Sequence, residues 1–133
     1  MSTVFIDSNV ILYLLSGDSV KADRAEEILN HGGMISVQVL NEVTSVCLRK
    51  LKMSWEEIDA VLQAIRAACD VVPLTLESHT RAVEISRRYR LSFYDAHICA
   101  SAILFNAEVV LSEDMQDGTK IDGMSIRNPF KQK

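Results

Sequence analysis

Short, continuous apolar runs alternate along this chain with longer stretches whose apolar positions recur every three to four residues. Residues 3–6, 34–36, 71–74 and 109–111 are the short runs, β-branched for the most part, and they predict strands; a weaker strand is expected at 124–127. Between them the helical period takes over. Val10, Ile11, Leu14 and Leu15 mark a first helix, which Ser8 or Asn9 is placed to cap and which Gly17 breaks. A second helix is predicted over 19–30 on the stripe Ala22, Ala25, Ile28 and Leu29, and Gly32-Gly33 ends it. Val39, Leu40, Val43, Val46, Cys47 and Leu51 give a third over 37–51. Ser54 and Glu57 have the spacing of a capping box ahead of Ile58, Val61, Leu62 and Ile65. Two more helices follow, amphipathic over 77–90 and apolar nearly all round over 93–106, the latter therefore central.

Strands alternating with helices predict an α/β domain with a parallel sheet and helices on both faces. Pro73, which cannot donate to a ladder, puts the 71–74 strand at an edge or the strand end there. No repeat, linker or low-complexity segment divides the 133 residues, so residues 1–133 are expected to form a single domain.

Against that pattern four acidic residues stand out. In an open parallel sheet, ligands bind outside the carboxyl ends of the strands. Asp7 directly follows the first predicted strand and Asp114 follows the 109–111 strand by a similar step, so both are expected at one edge of the sheet. Glu42 shares a helix side with Val39 and Val46, and Asp95 shares one with Ile98, Cys99 and Ala102. An unpaired carboxylate in such surroundings costs several kcal/mol and tends to be neutralised. A shared divalent cation removes that cost, and hard cations such as Mg²⁺ take oxygen ligands of this kind. Each residue also has a plainer role. Asp7 fits a helix N-cap, Asp95 forms capping-box spacing with Ser92, Glu42 has Arg49 within reach, and Asp114 and Asp117 lie in a turn-prone loop.

Composition narrows the class. A hydrophobic content of 48% with 24% charged residues is that of a soluble globular protein, and the longest apolar runs fall far short of a bilayer span. The start lacks the basic and apolar regions of a secretory signal. Cys47, Cys69 and Cys99 have neither CxxC spacing nor histidines at ligand spacing, so free buried thiols in a reducing cytoplasm are expected and zinc is not. A net charge of −4 argues against tight non-specific binding to a polyanion. The clusters Arg49, Lys50, Lys52; Arg87, Arg88, Arg90; and Arg127, Lys131, Lys133 read either as solvated helix ends and a tail or as a rim that grips phosphates. His31, His79 and His97 show no acid partner, and Trp55 reads as a packing residue at a helix start.

FIDSNV, SVQVLNEV, SFYDAHI and LSEDMQDG, in that order, resemble the acidic motifs of the PIN-domain nucleases, and within them the VapC-type toxins of toxin–antitoxin modules. The resemblance covers essentially the whole chain. It implies a three-layer α/β/α fold with a parallel sheet of about five strands. It also implies that Asp7, Glu42, Asp95 and Asp114 hold Mg²⁺ or Mn²⁺, with Asn9, Ser112 and Asp117 in support, and that the activity is endoribonucleolytic. A cognate VapB-type antitoxin, an RNA substrate, a homodimer and a cytoplasmic setting are implied as well, with no membrane role. The alternative is a non-catalytic module whose acidic pocket accepts a basic peptide. Receiver-type and haloacid-dehalogenase-type proteins also put Asp beside a parallel strand, but the second of these wants a DxD pair where this chain has Asp7-Ser8-Asn9.

Overall fold

The computed structural model describes residues 3–131. Lys133, part of the basic tail cluster, lies outside them. Among the described residues six α-helices and six strands alternate much as the periodicity predicts. The strands are β1 (Val4–Ile6), β2 (Gly33–Ser36), β3 (Cys69–Val72), β4 (Val109–Leu111), β5 (Lys120–Ile121) and β6 (Met124–Arg127). The helices are α1 (Ser8–Leu12), continued by a 3-10 turn at Tyr13–Leu15, α2 (Ser19–His31), α3 (Val37–Arg49), α4 (Trp55–Ala68), α5 (Leu76–Tyr89) and α6 (Phe93–Leu104).

The sheet runs in the order β3-β2-β1-β4-β6-β5. The first five of these strands are parallel, and only β5 runs antiparallel, against β6. β1 is thus central, and its neighbour β4 comes from the far end of the sequence. Strand order reverses there, because β2 lies on one side of β1 and β4 on the other, and ligand crevices of open parallel sheets form at such a switch point.

β3 is an edge strand and ends at Val72, immediately before Pro73, two residues earlier than the run 71–74 predicts. The Ser54–Glu57 capping box forms in both halves, at 3.2 and 2.8 Å. Trp55, however, is 58% exposed and does not pack. The first helix is capped by Asp7 itself rather than by Ser8 or Asn9, the Asp7 carboxylate accepting from Ser8 N. Gly33 is needed for packing: a Cβ there would come within 2.7 Å of Ile6 Cδ1 and 3.3 Å of the Val4 carbonyl oxygen.

The core lies on both faces of the sheet and includes Phe5, Ile6, Ile35, Val39, Val43, Ile58, Ile98 and Ile126, all essentially without solvent contact. As its composition predicts, α6 is buried along most of its length, from Ala96 to Ala102. Cys47, Cys69 and Cys99 are free and buried.

Candidate functional site

The register of the central strands assembles the site. Ile6 pairs with Leu111 and Asp7 N donates to the Leu111 carbonyl oxygen at 2.9 Å, which brings Asp7 beside Ser112 at the carboxyl edge of the sheet. Asp7 is buried, 4% exposed. Its carboxylate accepts from Ser8 N at 2.8 Å, from Asn9 Nδ2 at 3.0 Å and from Ser112 Oγ at 2.9 Å. Asn9 also accepts from Glu113 N at 2.9 Å and donates to Ser112 Oγ at 3.3 Å, so α1 and the loop after β4 are tied together around Asp7.

Glu42, half-buried on α3, does not pair with Arg49. Ser8 Oγ donates to its Oε1 at 2.9 Å, and Gln38 Nε2 approaches its Oε2 at 3.4 Å. Asp95, in the first turn of α6, donates its N–H to Ser92 Oγ at 3.2 Å. Only that half of the predicted capping box forms among the described residues, which leaves the Asp95 carboxylate free for other work. Asp114 is exposed on the loop after β4.

Electrostatics link the four acids. The Asp7 carboxyl is raised to about 6, by burial above all and then by the charges of Glu42 and Asp95, against the opposing hydrogen bonds from Ser112 and Ser8. Asp95 is raised by burial and by the charge of Asp114. The Cys99 thiol is driven up to about 12 by burial, with Asp7 and Asp95 adding to it. The carboxylates therefore feel one another from Glu42 through Asp7 and Asp95 to Asp114. None of the four is in an ion pair among the described residues.

Among the described residues, no three acidic, cysteine or histidine side chains are drawn into the tight shell of a bound ion. The donor chemistry nevertheless fits a hard divalent cation. It consists of carboxylate oxygens, one pair of them, on Asp7, buried and raised towards protonation by that burial first and by the Glu42 and Asp95 charges second, with no ion-paired cation to offset them among the described residues.

Of the three supporting residues, Asn9 and Ser112 both touch Asp7. Asp117 does other work, its carboxylate accepting from Asn128 N at 2.7 Å and so holding the segment after β6. The sequence reading missed the roles of Ser8 and Gln38. Both were open to discovery: Gln38 stands four residues before Glu42 on one helix face, and Ser8 adjoins Asp7. Ser36, two residues past the Phe5–Met34 pair and so level with Asp7, is fully buried with its hydroxyl unpartnered. His97 is a buried structural residue, its Nε2 2.8 Å from Ser78 Oγ.

The PIN domain family profile matches residues 4–116, and the chain belongs to that family. Its fold is shared with solved structures of low sequence identity. A toxin–antitoxin complex from Klebsiella pneumoniae is 20% identical over 97% of this chain and 99% of that one, with a TM-score of 0.75. DNA-bound VapBC from Salmonella typhimurium is 17% identical over 97% and 99%, with a TM-score of 0.69. VapC20 of Mycobacterium tuberculosis, described as a toxin that cleaves the sarcin–ricin loop, is 20% identical over 84% and 91%, with a TM-score of 0.67. No curated protein sequence matches. No helix among the described residues is long and apolar enough to cross a membrane.

Proposed function

We propose that this chain is a Mg²⁺- or Mn²⁺-dependent endoribonuclease, the VapC-type toxin of a toxin–antitoxin pair. The observation that carries the reading is Asp7. It is a carboxylate buried at the switch point of the sheet, under the charges of Glu42 and Asp95, with no cationic side chain paired to it among the described residues. Such a group is costly unless a cation completes the site.

Asp7, Asp95 and Asp114, with Glu42, are the residues that would hold the metal. When bound, the cation supplies charge neutralisation at the phosphodiester and a bound water of lowered pKa. The chain's own side chains do the positioning. Ser112 and Asn9 both hold Asp7 Oδ2, Ser8 N holds Asp7 Oδ1, and the Ser8 hydroxyl holds one oxygen of Glu42, leaving the Glu42 carboxylate turned to orient an attacking water or take its proton. Asp117 serves this arrangement at a distance, through the loop it holds.

The same reading supplies partners. The complexes reported from Klebsiella and Salmonella support a cognate VapB-type antitoxin that holds the toxin inactive. An apolar hollow of about 280 Å³, walled by Ile11, Leu14, Leu29, Val61 and Ile65, suits an apolar antitoxin segment. Exposed Leu48, Leu51 and Trp55 offer apolar surface for a homodimer. Three free thiols suit a reducing cytoplasm.

The test is to sequence RNA fragment ends after brief expression without antitoxin, beside an Asp95→Asn control. Defined cuts that vanish in the control support the reading. A wild-type chain that cuts no RNA with either metal, yet binds its antitoxin tightly, leaves the acidic pocket as a peptide-binding site instead.

A further inference from the structure

Beside Glu42 the surface sinks into an open hollow of about 570 Å³. One wall is a single face of α3, on which Gln38, Asn41, Ser45 and Arg49 succeed one another. Tyr94, with Leu74 and His97, completes the lining. Ser45 and Arg49 also line a neighbouring depression with Lys50, so the hollow opens onto two cations at its far end. Arg49 is in no ion pair among the described residues. It stands seven residues beyond Glu42, ~10 Å along the helix axis. The surface thus passes from acidic to basic across the span of a nucleotide or two.

Tyr94 immediately precedes Asp95 and is 66% exposed, an unusual position for an aromatic ring. It is also held in place. Gln38, itself buried, donates through Nε2 to the Tyr94 carbonyl oxygen at 3.0 Å, and Phe93 meets the Tyr94 ring edge-on at 5.9 Å. Gln38 therefore couples the backbone of Tyr94 to Glu42. None of the acidic chemistry requires an exposed ring here.

We propose that this hollow seats the nucleotide next to the scissile phosphate, with its base stacked on Tyr94 and a neighbouring phosphate held by Arg49. The proposal rests on the nuclease reading above. Base–aromatic stacking needs a base withdrawn from pairing, so the recognised stretch of RNA is single-stranded or looped. Arg49 adds a phosphate contact that is indifferent to sequence, whereas Tyr94 favours the bases that stack best.

The experiment has two readouts on one probe, a fluorescein-labelled pool of single-stranded RNA oligonucleotides of mixed sequence. Binding is followed over a salt series in an Asp7→Asn background, where turnover is disabled, and cleavage is followed in the otherwise unaltered protein. Tyr94→Ala is expected to weaken binding roughly tenfold at an unchanged salt slope, with Tyr94→Phe restoring it. Arg49→Ala is expected to weaken binding and to lower the slope of log K against log salt by about 1. In cleavage, both alanine variants raise KM more than they lower kcat, and Tyr94→Ala flattens base preference at the cut. Wild-type protein that cuts the pool while all variants bind and cut unchanged overturns the subsite and leaves the nuclease reading standing. Wild-type protein that cuts nothing overturns the nuclease reading, and the subsite with it.

Discussion

Ser112 Oγ donates to Asp7 Oδ2 at 2.9 Å, joining two residues 105 positions apart across the seam between β1 and β4. The bond favours the ionised form of Asp7, in opposition to burial. Ser112→Ala removes it and leaves the Met115 N–H without its 3.3 Å acceptor. The Asp7 carboxyl then rises further. The expected result is a fall in metal-dependent cleavage, with the acidic limb of the pH–rate profile moved to higher pH. An unmoved limb would show that Ser112 does not tune Asp7.

Asp7 makes the metal-free fold weaker at neutral pH. Its carboxyl sits at about 6 in the folded chain against an ordinary 3.8, so between those values the folded state holds the proton that the unfolded state has lost. Stability from this group is fully present below about 4 and is lost as pH rises through 6, a difference of about 3 kcal/mol. Asp7→Asn is expected to abolish cleavage and yet raise the Tm of metal-free protein at pH 7. That advantage should shrink toward zero near pH 4. Thermal melts of both proteins across pH 4–7.5 check it, and a variant less stable than wild type at pH 7 would contradict the charge argument.

Metal binding should oppose the same penalty. If Asp7 holds Mg²⁺ or Mn²⁺ as proposed, its carboxyl must be ionised, so the ion competes with the Asp7 proton and affinity is expected to climb with pH through about 6. Added Mn²⁺ is expected to raise Tm at pH 7.5, much less at pH 5, and not at all in Asp7→Asn. Chelator reverses the rise. Equal stabilisation of wild type and Asp7→Asn would place the ion elsewhere.

Gly33 offers a test of the fold alone. A methyl group there meets Ile6 Cδ1 at 2.7 Å, on the last residue of the strand that leads into Asp7. Gly33→Ala is expected to destabilise by about 1–3 kcal/mol. Ile6→Val removes the atom most in the way, so the double variant should lose less than the sum of the singles. Denaturant melts of the four proteins measure the coupling, and strict additivity would mean that the strain falls on the Val4 carbonyl instead.

Much of the architecture could be read from periodicity, because most elements carry their own local signal. Ser54 and Glu57 announce a helix start, and the apolar run at 109–111 announces a buried strand. The strand at 71–74 was misplaced by two residues because Cys69 and Asp70 do not look like strand formers, while the ladder to Gly33 and Met34 recruits them. β5 has only two residues, and its partner in β6 decides its existence, so no local pattern reveals it. Trp55 looked apolar enough to pack, but it begins its helix on a side with nothing to cover it. At the site, the carboxylates stand out because they violate the apolar pattern. Ser8 and Gln38 break no pattern and carry only the weak signal of their spacing to Asp7 and Glu42, while the bond from Gln38 to the Tyr94 carbonyl oxygen exists only where α3 and α6 converge.

The central position of β1 has a consequence for synthesis. Translation delivers Asp7 more than a hundred codons ahead of β4, which closes one side of its strand, and of Ser112, which holds its carboxylate. A chain still being made therefore carries an acid without its clasp. The centre takes shape only once β4 has been made and has paired with β1.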